Sequence, residues 1–102
     1  MAKGYWVGFA DISNLDQYKL YQAENAVAFR KYGARFLVRG GPCETPEEKP
    51  RSRCLVIEFP TYEAALACYR SPEYAKAIAL RKGVALVDLA IVQGYDGAQP
   101  TD

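Results

Sequence analysis

Two segments of this chain are apolar on both of their alternating sides. Over residues 5–10, Tyr5, Val7 and Phe9 alternate with Trp6 and Ala10; over residues 53–59, Cys54 and Val56 alternate with Leu55, Ile57 and Phe59. Strands of that kind need cover on both faces, which few small folds provide from a single chain. The rest of the pattern narrows the choice. Ser13 or Asn14 caps a helix predicted over residues 15–32, with Asp16 and Gln17 three residues on in capping-box spacing. Leu15, Tyr18, Gln22, Asn25, Phe29 and Tyr32 recur in it at steps of three and four, and Gly33 supplies a left-handed stop. Residues 34–39 alternate as a second strand, with Arg35, Leu37 and Arg39 on one side. Pro60 stops the third strand. Thr61 then caps a second helix with the stripe Tyr62, Ala65, Leu66 and Tyr69, restarted by Ser71 and Pro72 as cap and first position. Gly83 ends it, and residues 84–95 form the last strand.

The order βαββαβ is the split βαβ arrangement, and right-handed crossovers place both helices on one face of a four-stranded antiparallel sheet. The expected fold class is therefore α+β, a ferredoxin-like sandwich. Its 102 residues suffice for one core, so residues 1–102 are expected to form a single domain, with a flexible hairpin loop at 40–52 and a frayed tail at 96–102. Four strands of about six residues, ~3.3 Å per residue and ~4.8 Å apart, leave a bare face of roughly 400 Å². Monomers seldom leave such an apolar patch in water. The expected cover is a second copy, in a two-fold homodimer whose open faces meet as a dimeric α/β barrel.

Composition excludes much of the familiar chemistry. There is no histidine, which removes the usual proton shuttle, the commonest nitrogen ligand for metals and the ordinary hydrolase triads. Thirteen basic side chains against twelve acidic ones give a formal charge of +1, too little for a nucleic-acid footprint. The start KGYWVGF resembles an RNA-recognition signature, but it opens the first strand where that signature belongs on the third, and CLVIEF lacks its glycines and paired aromatics. No segment reads as an export signal or a membrane span. Cys43, Cys54 and Cys68 are odd in number and lack a CxxC pair, as expected of free thiols in the cytoplasm. Glu44, Glu47 and Glu48, with Pro46 between them, make a solvated loop rather than a metal cage. No metal or other cofactor is expected, and the partners expected are a second copy and a small organic ligand, with no nucleic acid and no membrane.

The candidate site residues are Tyr18, Asn25, Arg39, Glu58, Tyr69, Tyr74 and Arg81, lining a cavity between the open sheet face and the helices. Hairpin counting brings Glu58 opposite or diagonal to Arg35, on a face shared with Arg39. Enclosed there, Glu58 would serve as base or acid, with Arg39 or Arg81 holding an anionic group; otherwise these residues form an ion pair at the sheet edge or dimer interface. Asn25, an amide within an aromatic stripe, either meets a ligand's polar group or caps a sheet edge or tyrosine. Tyr18, Tyr69 and Tyr74 either line an aromatic pocket or fill core and interface, and Arg81 also suits the end of a helix. Asp88, within an apolar strand, is expected to point outward. The competing function is a non-catalytic assembly module whose bare face serves dimerisation alone, across a dry interface.

The stretches KGYWVGFADI, AENAVAFRKYGARFLVRGG, IEFPTYEAALACYRSPEYAKAIALR and IVQGYDG resemble the bacterial family called domain of unknown function 1330, within the dimeric α/β-barrel superfamily. FLVRGG, the IEFP strand end before a helix start, and SPEY carry the resemblance, while PCETPEEKPRS is longer than it implies. The resemblance implies a ferredoxin-like protomer and a dimer. It implies no activity and supplies no catalytic residue; related dimeric barrels include cofactor-independent monooxygenases, isomerases and ligand sensors.

Overall fold

The computed structural model describes residues 2–102. They form β1 (Gly4–Ile12), α1 (Leu15–Tyr32), β2 (Arg35–Arg39), β3 (Arg53–Phe59), α2 (Tyr62–Tyr69), α3 (Pro72–Arg81) and β4 (Ala85–Gln93). Local chemistry sets the helix limits. The Asn14 side chain accepts a bond from the Gln17 N–H at 3.0 Å, and Gly33 closes α1 at φ 73°, a conformation that costs glycine little. The second predicted helix is in fact two. The Ser71 hydroxyl donates to the Cys68 carbonyl at 2.7 Å and accepts from the Tyr74 N–H at 3.1 Å, so one side chain ends α2 and begins α3. Strand β1 runs past its predicted end because β4 pairs with it out to Asp11↔Leu86 and Ile12↔Ala85.

The sheet order is β2-β3-β1-β4, antiparallel throughout, the ferredoxin-like topology. Alternation divides each strand between two environments. Trp6, Ala10, Ile57 and Phe59 are buried, and the rings and methyls of α1, α2 and α3 complete their core cluster. Trp6 is its hub. Its ring lies 4.9–5.7 Å from those of Phe29, Phe59, Tyr69 and Tyr74, and its Nε1–H donates to the Ala65 carbonyl at 2.9 Å. Close approach of α2 depends on Gly4, where a Cβ would lie 2.6 Å from both the Thr61 carbonyl oxygen and the Tyr62 Cα. Backbone cannot yield as a side-chain tip does, so Gly4→Ala is expected to cost about 1–3 kcal/mol in urea unfolding. A cost near zero would show that α2 slides freely on β1.

One expectation about the sheet fails for a specific reason. Strict alternation would put Arg35 and Arg39 on the same side, but the β2–β3 register shifts between Phe36 and Val38 and leaves Leu37 unpaired. An extra residue in a strand reverses the facing of everything beyond it. Arg35, opposite Glu58, therefore stays on the bare face, whereas Arg39, opposite Leu55, turns to the helix side.

Among the described residues no helix covers the other face. Tyr5, Val7, Phe9, Cys54 and Val56 are half-buried there, and Val38, Leu86 and Val92 are exposed. Ion pairs mark its two ends. Lys3 meets Glu58 at 3.4 Å; at the opposite end Arg51, from the loop before β3, reaches both Asp11 and Asp88 at 3.2 Å. Asp88 points outward, as its strand position suggested. No helix among the described residues is long and apolar enough to cross a membrane.

Candidate functional site

Polar groups gather on the helix side of the sheet, where the first half of α1 meets the end of α3. Two small cavities adjoin there, sharing Tyr18, Tyr21, Leu55 and Ile57 as walls. The first, about 20 Å³, is also bordered by Gln22, Asn25, Phe29, Phe36 and Arg39. The second, about 30 Å³, reaches Trp6, Tyr74, Val87 and Leu89. Each has room for one or two waters.

Between α1 and α3 the Tyr21 and Tyr74 hydroxyls share a 2.6 Å hydrogen bond, and Arg81 lies with its guanidinium carbon 5.4 Å from the centre of the Tyr21 ring. Burial, reinforced by Tyr21, pushes the Tyr74 phenol far above its ordinary pKa. Burial also raises Tyr18, whose phenol lies within the electrostatic reach of Arg53, Arg81 and Arg39. The Tyr74 and Tyr18 hydroxyls therefore remain protonated at neutral pH. With guanidinium groups nearby and no carboxylate among the cavity walls, the site is strong in donors and lacks a base.

Residues 3–95 match the family described as domain of unknown function DUF1330. The chain belongs to the DUF1330 family. No curated protein matches it in sequence. Among solved structures, a protein of unknown function from Rhodopseudomonas palustris is 14% identical with a TM-score of 0.70, the match covering 94% of this chain and 85% of that one. SnoaB, a cofactor-independent oxygenase from Streptomyces nogalater, is 9% identical at a TM-score of 0.62, covering 98% and 99%. A conserved protein from Bacteroides thetaiotaomicron, described as a possible oxidoreductase, is 13% identical at 0.58, covering 90% and 97%. At such identities the likeness is one of fold.

This DUF1330 chain brings together some of the expected site residues and separates others. Tyr18, Asn25, Arg39 and Tyr74 border the cavities, with Arg81 beside the phenol pair. Glu58 lies on the opposite side of the sheet, bonded to the Tyr5 hydroxyl and Lys3, so within one chain it cannot share a ligand with Arg39. Tyr69 packs edge-on against Trp6 and 5.4 Å from Tyr74, outside both cavity linings. Tyr21 and Arg53 escaped sequence reasoning. Tyr21 follows Tyr18 by three helical positions, a usable signal, but its hydroxyl partner lies 53 residues away.

A larger concavity, about 400 Å³ and open, lies between Asp11–Ser13 and Gly83–Leu86. Its polar groups are already engaged. Bonds from the Ser52 N–H and hydroxyl hold the Asp11 carboxyl below its usual pKa, and the Ser13 hydroxyl donates to the Val84 carbonyl. The described residues contain no cluster of three or more His, Cys, Asp or Glu side chains able to hold a metal ion.

The phenol pair gives a direct test of the site's construction. Tyr21→Phe and Tyr74→Phe each strand a buried hydroxyl and are expected to cost about 1–3 kcal/mol, while the double variant costs less than their sum. A double-mutant cycle in urea measures the coupling; strict additivity would mean that each hydroxyl is satisfied elsewhere.

Proposed function

We propose that this chain binds a small organic molecule between its helix layer and its sheet, and that it does so as a two-fold dimer closed by the bare sheet faces. The observation that carries the binding proposal is the Tyr21–Tyr74 hydroxyl pair beside Arg81, at cavities set in an otherwise aromatic core. A core built for stability alone has little use for three such groups together, because each must be desolvated and then satisfied. The description of SnoaB as a cofactor-independent oxygenase agrees with small-molecule chemistry on this fold. In an enzyme of this kind the donors would orient a substrate or stabilise a developing oxyanion. Proton abstraction would fall to the substrate or to water.

The dimer proposal rests on the face left without helices. Strands of these lengths make it roughly 500 Å² per protomer, so two faces joined bury on the order of 1,000 Å² before side-chain relief, at the lower edge of a stable interface. Its charges are balanced, with Lys3, Arg35 and Arg51 against Glu58, Asp11 and Asp88, as self-association requires.

The binding proposal is tested by thermal unfolding against small organic compounds, neutral and charged, because a ligand of the native state alone raises the midpoint. The expected result is a hit whose effect weakens in Tyr21→Phe. Silence across the collection would favour the assembly module, a reading that the small volume of the cavities supports.

A further inference from the structure

The connection between β2 and β3 is fastened to the sheet at both of its ends, and Cys54 lies between the fastenings. Where the loop leaves β2, the Gly40 N–H donates to the Cys54 carbonyl at 2.9 Å, a bond of the kind that holds paired backbones about 4.8 Å apart. Where it returns, Arg51 reaches Asp11 and Asp88, and the Ser52 N–H and hydroxyl donate to Asp11. Cys54 and Asp88 both stand opposite Phe9 in the register, so this grip falls on the strand neighbours of Cys54. Between the two anchors lies Cys43, exposed and three residues beyond Gly40. It is close enough to Cys54 for the two thiols to act on each other electrostatically.

We propose that Cys43 and Cys54 form a reversible disulfide within one chain when it meets a low-molecular-weight disulfide such as oxidised glutathione. Bonded cysteines keep their Cα atoms about 4.4–6.8 Å apart, a span reached by folding Cys43 back from Gly40 toward Cys54. The residues between permit that fold. Gly40 already has φ 72°, a Cβ on Gly41 would meet nothing within 4 Å, and residues 41–45 belong to no helix or strand. The exposed Cys43 reacts first. Its thiolate attacks one sulfur of oxidised glutathione and displaces a glutathione thiolate; the Cys54 thiolate then attacks the Cys43 sulfur of the mixed disulfide and displaces the second. The two cysteines give up two electrons and two protons, and the glutathione leaves as two thiols. Cys54 is the poorer opening nucleophile, because burial raises its thiol above the ordinary pKa. Cys68 takes no part, since it is fully buried and burial pushes its thiol up to about 12. The product is a loop tied down at a third point, at the end of the bare face where Arg51 already holds it. None of this depends on the ligand site proposed above.

The test treats the full chain with oxidised glutathione, reads its free thiols and intact mass, and then nicks the native protein with a glutamate-specific protease. Glu44, Glu47 and Glu48 lie in the exposed loop, inside the ring that the bond closes. Two of the three thiols are expected to disappear with no glutathione added to the mass. The nicked chain should then run as one band under denaturing conditions without reductant and as two with it. The surviving thiol, alkylated after unfolding, should map to Cys68. Cys43→Ser is expected to slow thiol loss at Cys54 at least about 10-fold, and Cys54→Ser to stop at a stable glutathione adduct on Cys43. A wild-type end product that still carries glutathione, or that is joined chain to chain, would overturn the proposal, as would retention of all three thiols. A surviving thiol mapped to Cys43 or Cys54 would overturn the pairing.

Discussion

Trp6→Ala is expected to lower the unfolding free energy by about 3–5 kcal/mol. Domains of this size hold only about 5–15 kcal/mol in total, so the variant would sit near the edge of folding at 37 °C, with its midpoint lower by roughly 15–30 °C. The magnitude follows from position. Trp6 is 2% exposed, and its ring contacts side chains from α1, β3, α2 and α3 together, so the cavity left by alanine cannot be closed by moving one element. Trp6→Phe keeps a ring and forfeits the bond to the Ala65 carbonyl. It is expected to cost about 1–2 kcal/mol. Far-UV circular dichroism with urea serves both variants, and a Trp6→Ala loss below about 1 kcal/mol would remove the ring from the centre of the fold.

The second large effect concerns assembly. In register, Val7 stands between Val56 and Ala90, in the middle of the face proposed to meet a second copy. A carboxylate there would be enclosed without a partner, and Val7→Glu is expected to weaken the dimer at least about 1,000-fold, giving a monomer by sedimentation velocity at micromolar concentration. The isolated protomer tolerates the change, because its own bare face is wet, so circular dichroism should be unaltered. Wild-type protein that sediments as a monomer, or a Val7→Glu variant that stays paired, would defeat the dimer proposal.

Local signals proved readable at distance zero and unreliable beyond it. Asn14, Gly33, Thr61 and Ser71 act on backbone groups within a few residues of themselves, and each ends or begins a helix where its chemistry indicated. The alternation of β1 and β3 sorted their side chains into two sets, but with both sets apolar it could not say that Trp6, Ala10, Ile57 and Phe59 would be the ones to enter the core. Arg39 was misassigned because its facing depends on how β2 pairs with β3 across a thirteen-residue connection, and nothing within FLVR announces that Leu37 goes unpaired. The phenol pair was half legible: Tyr74 was singled out from its helix face, but its partner Tyr21 is identified only by packing α1 against α3. The tie from Arg51 to both Asp11 and Asp88 was hidden for the same reason. A loop rich in proline and charge gives no clue to which strand end it will grip.

The unpaired Leu37 works as a one-residue switch of allegiance. Were Leu37 instead to take its place in the ladder, strict alternation would hand the Arg39 cation to the opposite side, taking charge from the helix side and adding it where like surfaces are proposed to meet. One unpaired residue therefore decides which face of the scaffold carries that cation.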